Sequence, residues 1–229
     1  MYTNEEEKTG SFTFAAEGSP DRNSKFFYGR LSHPSSISGV TIGAGYDMGG
    51  RSESQVMADL VTAGTDKELA SKLSKGARLT GLAADKFVRA NNSTLTITNV
   101  DIVRRLFSNT YPDYVRRAKQ CFDFHASTFK TSMPTYGSDY KTAIFFDWQY
   151  LYPAIRVIAI DFVYQGFGKQ KNGFGKPLHF CMTNNFDWLI RYIESSTTLK
   201  QYETGRGRAR YLRSKKDFET LKYSNSPAN

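Results

Sequence analysis

Glu17, Thr41 and Asp47 are the residues whose types and surroundings offer chemistry. Glu17 closes the apolar run Phe14-Ala15-Ala16 and precedes Gly18. A carboxyl that follows a buried helical stretch could lie in a partly desolvated cleft, where desolvation raises a carboxyl pKa and can make it a proton donor near neutral pH. The plainer reading is an ordinary helix-end carboxylate. Thr41 and Asp47 lie on and beside a segment shaped by Gly39, Gly43 and Gly45, whose bare main chain an extended ligand could approach. The plainer reading here is a structural hairpin with a turn aspartate. Tyr46 and the patch Phe26-Phe27-Tyr28 flank these positions; aromatic rings stack on sugars as readily as on bases, and more often they fill cores. Gly43-Ala44-Gly45 is not a phosphate loop, because no Gly-Lys-Ser/Thr follows it.

Several elements must position these residues. Ser11 to Gly18 reads as a helix end, residues 19–39 as loop with short strand pieces, and Gly39 to Tyr46 as a strand entering a tight turn. Ser52 with Gln55 forms a capping box ahead of Val56, Leu60 and Val61. Asp66 to Lys75 is a second helix stopped by Gly76, and residues 80–90 are a third. Thr98 caps a helix through Phe107, and Tyr111 to Phe122 continues the pattern with Pro112 in its first turn. Residues 125–138 read as loop, and 139–150 and 154–165 as central helices. Gly166, Gly168, Gly173 and Gly175 mark a flexible connection. Asn184 caps the amphipathic Phe186–Ile193 segment, and a basic helix follows from Gly207 to Phe218. The expectation is an α+β chain, predominantly helical with a small N-terminal β-region. Residues 1–10 form a flexible leader and 11–229 one domain.

The composition excludes several classes. The chain has 229 residues, 39% of them hydrophobic and 14% aromatic, which suits a folded core. The apolar run Ala154–Val163 is interrupted by Arg156 and Asp161, so no spanning helix or membrane insertion is expected. The start, MYTNEEEKTG, lacks the basic and apolar regions of a signal peptide. Lys and Arg number 31 against 22 acidic residues, a net +9 that suits anionic polymers without choosing among them. Cys121 and Cys181 read as two buried thiols or one disulfide. His33, His125 and His179 fall in no ligand spacing, so no metal or other cofactor is expected. The run Arg206, Arg208, Arg210, Arg213, Lys215, Lys216 reads as a solvated helix face rather than a nucleic-acid arm.

Three segments, in order, resemble the phage-type lysozyme family, and within it the pesticin-like bacterial toxin branch. They are Phe14-Ala15-Ala16-Glu17-Gly18, then Gly39-Val40-Thr41-Ile42-Gly43-Ala44-Gly45-Tyr46-Asp47, then Phe162-Val163-Tyr164-Gln165-Gly166 with Trp188 and Gly207-Arg208-Ala209-Arg210-Tyr211. The likeness implies a lysozyme-like fold. It places the catalytic acid at Glu17 and the active-site threonine at Thr41. In the simplest phage enzymes the second carboxylate lies between these two, where only Asp21 stands here; in the toxin branch it follows the threonine, as Asp47 does. Gly45, Tyr46 and Gln165 would line the substrate cleft, and Arg208 matches an arginine that pairs with the catalytic Glu.

The function this implies is a muramidase that hydrolyses the β-1,4 bond between N-acetylmuramic acid and N-acetylglucosamine of peptidoglycan. It implies a toxin or lysin domain delivered to the periplasm of a target bacterium, and an immunity (inhibitor) protein in the producer. A noncatalytic peptidoglycan-binding domain on the same fold is the alternative. A nucleic-acid-binding module is a third reading, without a recognised motif behind it.

Overall fold

A computed structural model describes residues 5–24, 27–131, 146–167, 176–203 and 205–224. The chain is α+β: mostly helical, with one two-stranded antiparallel sheet near its N-terminus. Its contacts divide it into two compact units. One is Phe14–Tyr111; the other joins Met1–Thr13 to Pro112–Asn229.

The Phe14–Tyr111 unit begins at the end of helix α2 (Ser11–Ala16) and carries the hairpin of β1 (Thr41–Ile42) and β2 (Tyr46–Asp47). Gly43 and Gly45 turn the chain with φ of 67° and 85°, in the left-handed region that side chains disfavour. Helix α3 (Glu53–Ala63) starts at Ser52, whose hydroxyl accepts from the Gln55 N–H as the expected cap. It packs on α4 (Lys67–Ser74), which Asp66 caps. Gly76 follows α4 without a left-handed turn; Lys75 closes the helix, and Gly76 instead lets Val40 and Phe87 approach closely. Helix α5 (Gly81–Asn91) follows Thr80. Val40, Ile42, Met48, Val56, Leu60 and Leu73 are all inaccessible, each worth roughly 1.5–3 kcal/mol of burial.

Helix α6 (Val100–Thr131) runs unbroken through Pro112, and the boundary between the units falls there. Two helices and a loop from 125 were expected. The Thr110 hydroxyl bonds the Leu106 and Phe107 carbonyls, and Tyr111 is buried, so packing overrides the proline.

The second unit is built round α7 (Pro153–Tyr164), with α8 (Lys176–Met182), α9 (Phe186–Ser195), α10 (Thr197–Glu203) and α11 (Arg208–Ser224). Helix α7 packs on α8 and α11, and α9 on α8, α10 and α11. Of the helix expected over 139–150, only a 3-10 turn at Trp148–Tyr150 is described; residues 139–145, like Gly168, Gly173 and Gly175, lie outside the described residues. Asn185, not Asn184, caps α9, while Asn184 takes a left-handed φ of 50° and its side chain holds the Tyr152 N–H.

Residues 5–9, expected within a flexible leader, form α1 (Glu5–Thr9) against α7. Glu7 pairs with the buried Arg156 at 2.8 Å, and Glu6 accepts the Tyr211 hydroxyl at 2.6 Å. The acidic start that reads as a polar tail supplies counter-charges to the basic half.

Cys121 and Cys181 are not joined in a disulfide. Burial pushes the Cys181 thiol well above its ordinary pKa. Among the described residues, no helix is long and apolar enough to cross a membrane, and no group of three or more His, Cys, Asp or Glu could hold a metal ion.

Candidate functional site

The candidate site residues Glu17, Thr41 and Asp47 all fall within the Phe14–Tyr111 unit. Glu17 follows α2 directly, its N–H donating to the Phe14 carbonyl at 3.3 Å. Tyr28 ties this segment to the hairpin. Its N–H donates to Ser19 O at 3.1 Å, its carbonyl accepts from the Gly43 N–H at 2.8 Å, and its hydroxyl donates to Phe14 O at 3.3 Å. Burial raises the Tyr28 pKa, opposed by the nearby Arg104 and reinforced by the charge of Glu17.

Thr41 and Asp47 are opposed partners in the hairpin register. The Thr41 N–H and C=O both bond Ser32 on the other side, and Met48 N–H bonds Val40 O. Thr41 and Asp47 therefore form a non-hydrogen-bonded pair, the kind that brings Cα atoms to about 4.5 Å and puts both side chains on one face.

The Gly39 peptide sits between these two side chains. Its N–H donates to Asp47 Oδ2 at 3.3 Å and its carbonyl accepts from the Thr41 hydroxyl at 3.3 Å. Asp47 Oδ1 takes the Gly49 N–H at 2.7 Å. A Cβ on Gly39 would lie 2.3 Å from Asp47 Oδ1 and 2.4 Å from Gly49 N, so only glycine fits. Each carboxylate oxygen retains a second lone pair, as does the threonine oxygen, so a water could still be held. Thr41 is only 6% exposed, whereas Asp47 is half-buried.

Tyr46 and Gly45 lie in the same hairpin. The Tyr46 hydroxyl donates to Asp59 at 2.6 Å, and the Arg51 guanidinium stacks 4.5 Å from the Tyr46 ring centre while its Nε holds the Asp47 carbonyl at 3.1 Å. Tyr46 is buried and serves as a strut rather than an exposed stacking surface. Asp21 is exposed and accepts the Asn23 N–H in a local turn.

Gln165 and Arg208 belong to the other unit and bond directly to each other. Arg208 is fully buried: Nε donates to Asp161 at 2.7 Å, one terminal nitrogen to Glu203 at 3.1 Å and the other to Gln165, and the guanidinium lies 4.6 Å from the Phe162 ring centre. Asp161, equally buried, also binds Arg206 at 2.5 and 3.1 Å and the Thr13 hydroxyl at 2.9 Å. The environment gives Arg208 the role of a core ion-pair hub. The basic run is correspondingly not a bare solvated face: Arg206 and Arg208 are buried, Arg213 pairs with Glu194, Lys215 with Glu6 and Lys216 with Asp187.

Gly39 and Tyr28 stand beside the site in the sequence; their roles as the peptide between Thr41 and Asp47 and as the tie from Phe14 and Ser19 to the hairpin come from the structure. The usable signal was Gly39 and Gly49 standing at equal distances from the hairpin turn. The meeting of His125 and His179, Nδ1 to Nε2 at 3.4 Å, had no sequence signal.

The family described as a domain of unknown function (DUF8812) matches residues 10–172, more than half of the chain. The match takes in Glu17, Thr41, Asp47 and Gln165 and ends before Arg208. No curated protein matches the sequence.

Proposed function

The chain belongs to the DUF8812 family, and we propose that it is a peptidoglycan hydrolase: a muramidase of lysozyme-like fold, acting as an antibacterial toxin or lysin domain on the wall of a target bacterium. The observation that carries this is the directly opposed Thr41–Asp47 pair, in the same compact unit as Glu17. Tyr28 joins the two segments through its main chain.

In this reading Glu17 protonates the glycosidic oxygen as it leaves. Asp47 orients and deprotonates water and stabilises positive charge at the anomeric carbon, with the Thr41 oxygen holding that water. Attack by water implies inversion; carboxylates only about 5 Å apart would imply retention. No arginine on Glu17 is required, since an adjacent guanidinium would lower its pKa and oppose the acid role. The net +9 supplies long-range attraction to an anionic wall. A toxin of this kind requires an inhibitor protein in its producer.

Clearing of purified sacculi, followed by turbidity, tests the proposal. Wild type clears them; Glu17→Gln slows clearing by about 10²–10⁴-fold and still sediments with sacculi. Equal clearing by both proteins rejects Glu17 as the acid.

A second reading, a noncatalytic peptidoglycan-binding domain, is favoured by the ring of bonds around Gly39. There both Asp47 oxygens and the Thr41 hydroxyl serve the hairpin itself. It requires wild type to sediment with sacculi and never clear them.

A further inference from the structure

The Phe14–Tyr111 unit also holds a groove of about 740 Å³ lined by Arg22, Arg30 and Arg89 with Phe27, Asn92 and Thr98. Among the described residues that line it, none is acidic. Two of the guanidinium groups are fixed by neutral acceptors. Arg22 donates to Thr98 O at 2.9 Å, and Arg30 donates to Ser24 O at 3.3 Å and Arg22 O at 3.0 Å. A carbonyl orients a guanidinium without cancelling its charge. With five N–H donors each, both arginines keep enough of the planar fork free for a bidentate acceptor. Their orientation is set before any ligand arrives, which lowers the ordering cost of binding. Arg89 differs: its side chain is 80% exposed and pairs with Asp85 at 2.9 Å on the same helix.

The rest of the lining selects the kind of anion. Asn92, Ser93, Thr96 and Thr98 offer amide and hydroxyl groups suited to peptide amides and sugar hydroxyls. A single-stranded nucleic acid needs aromatic platforms for its bases, and the one ring among the described residues that line the groove, Phe27, is 4% exposed. Phe27 forms an isolated bridge with Ser19, two residues beyond Glu17 in the sequence.

We propose that this groove binds the carboxylates of the peptide stems of peptidoglycan, so that the protein recognises a peptide-substituted glycan rather than bare sugar. The identity of the ligand rests on the hydrolase reading; the anion site rests on the arginines alone.

The test is titration calorimetry of the full chain with a soluble disaccharide-tetrapeptide fragment of peptidoglycan, and with the same fragment amidated at its carboxylates. Arg22→Gln/Arg30→Gln should weaken binding of the acidic fragment about tenfold or more and leave the amidated one unchanged. Arg89→Gln, an exposed change that spares the fold, should weaken the acidic fragment by up to about fivefold. Unchanged affinity in the folded double variant overturns the proposal. If that variant does not fold, unchanged affinity in Arg89→Gln overturns it. No measurable binding by wild type, or tighter arginine-dependent binding of a single-stranded oligonucleotide, overturns it too. Arginine-dependent affinity in a protein that never cleaves sacculi would sink the hydrolase and keep the groove; intact cleavage with arginine-independent affinity would sink the groove alone.

Discussion

The two compact units hold themselves together by opposite means. In Phe14–Tyr111 the hairpin is fastened by neutral main-chain bonds and by glycines whose missing Cβ atoms let backbones touch, Gly39 against Gly49 and Gly29 against Ile97. In the other unit the core is fastened by charge: Asp161 with Arg206 and Arg208, Glu203 with Arg208, Glu7 with Arg156. A backbone-packed turn tolerates changes of charge and fails when volume is added. A buried ion cluster tolerates little of either, because each charge is there to neutralise another. The contrast also bears on where chemistry can reside. Asp161 and Arg208 are taken up by buried partners of their own unit, whereas among the described residues the hairpin carboxylate accepts from the Gly39 and Gly49 N–H groups and keeps lone pairs for a ligand.

The largest effect should come from Asp161→Asn. It leaves two buried arginines without their shared counter-charge, a loss of about 3–5 kcal/mol in urea unfolding. A loss below about 1 kcal/mol would mean that the cluster is not what holds that unit. Next is Gly39→Ala, which drives a methyl into the Asp47 carboxylate and the Gly49 backbone and should cost about 1–3 kcal/mol. Gly50, with nothing within 4 Å of a built Cβ, is the control: Gly50→Ala should be neutral or slightly stabilising. Equal costs at 39 and 50 would break the contrast. Hydrogen exchange should localise the Gly39→Ala damage to Phe14–Tyr111 and the Asp161→Asn damage to the charged unit.

The smallest effect is a pH dependence on the acid side, carried by the charged unit. Burial, helped by His125 and Lys176, holds His179 down to about 3 from the ordinary 6.5. The unfolded chain therefore binds a proton that the folded one refuses. The His179 contribution is complete above pH 6.5 and is lost as pH falls towards 3. Glu7 and Glu219 act in the other sense: burial raises both from 4.5, so their share is complete below 4.5 and is lost as pH rises through the raised values. His179→Gln should flatten the acid limb of stability against pH between 6.5 and 3, read from urea midpoints. An unchanged limb would mean that the imidazole is already charged in the folded protein.

What could be read from the sequence was local. The Ser52 cap with Val56 and Leu60 behind it, the glycine-shaped turn between Thr41 and Asp47, and the apolar α7 were legible because neighbours a few residues apart dictate them. Helix α6 reads as two segments because Pro112 suits the first turn of a new helix; only the burial of Tyr111 and the bonds of Thr110 show why a single helix runs through. Asn184 and Asn185 are chemically identical caps, and the choice between them depends on Tyr150 and Tyr152, more than thirty residues away. Arg208 carried a motif, yet nothing near it announced Asp161 as its partner. Asp161 itself showed only as an interruption in an apolar run. Charge pairs between distant segments leave no periodic trace.

The central claim is that Glu17 hands a proton to a sugar ether, and product analysis tests it most directly. Purified peptidoglycan is digested in ¹⁸O-labelled water, and the released fragments are examined by mass spectrometry. The expected result is fragments ending in reducing N-acetylmuramic acid with the label at its anomeric carbon, produced by wild type and abolished in Glu17→Gln. Unlabelled anhydro ends, or labelled fragments released equally by Glu17→Gln, would contradict the account.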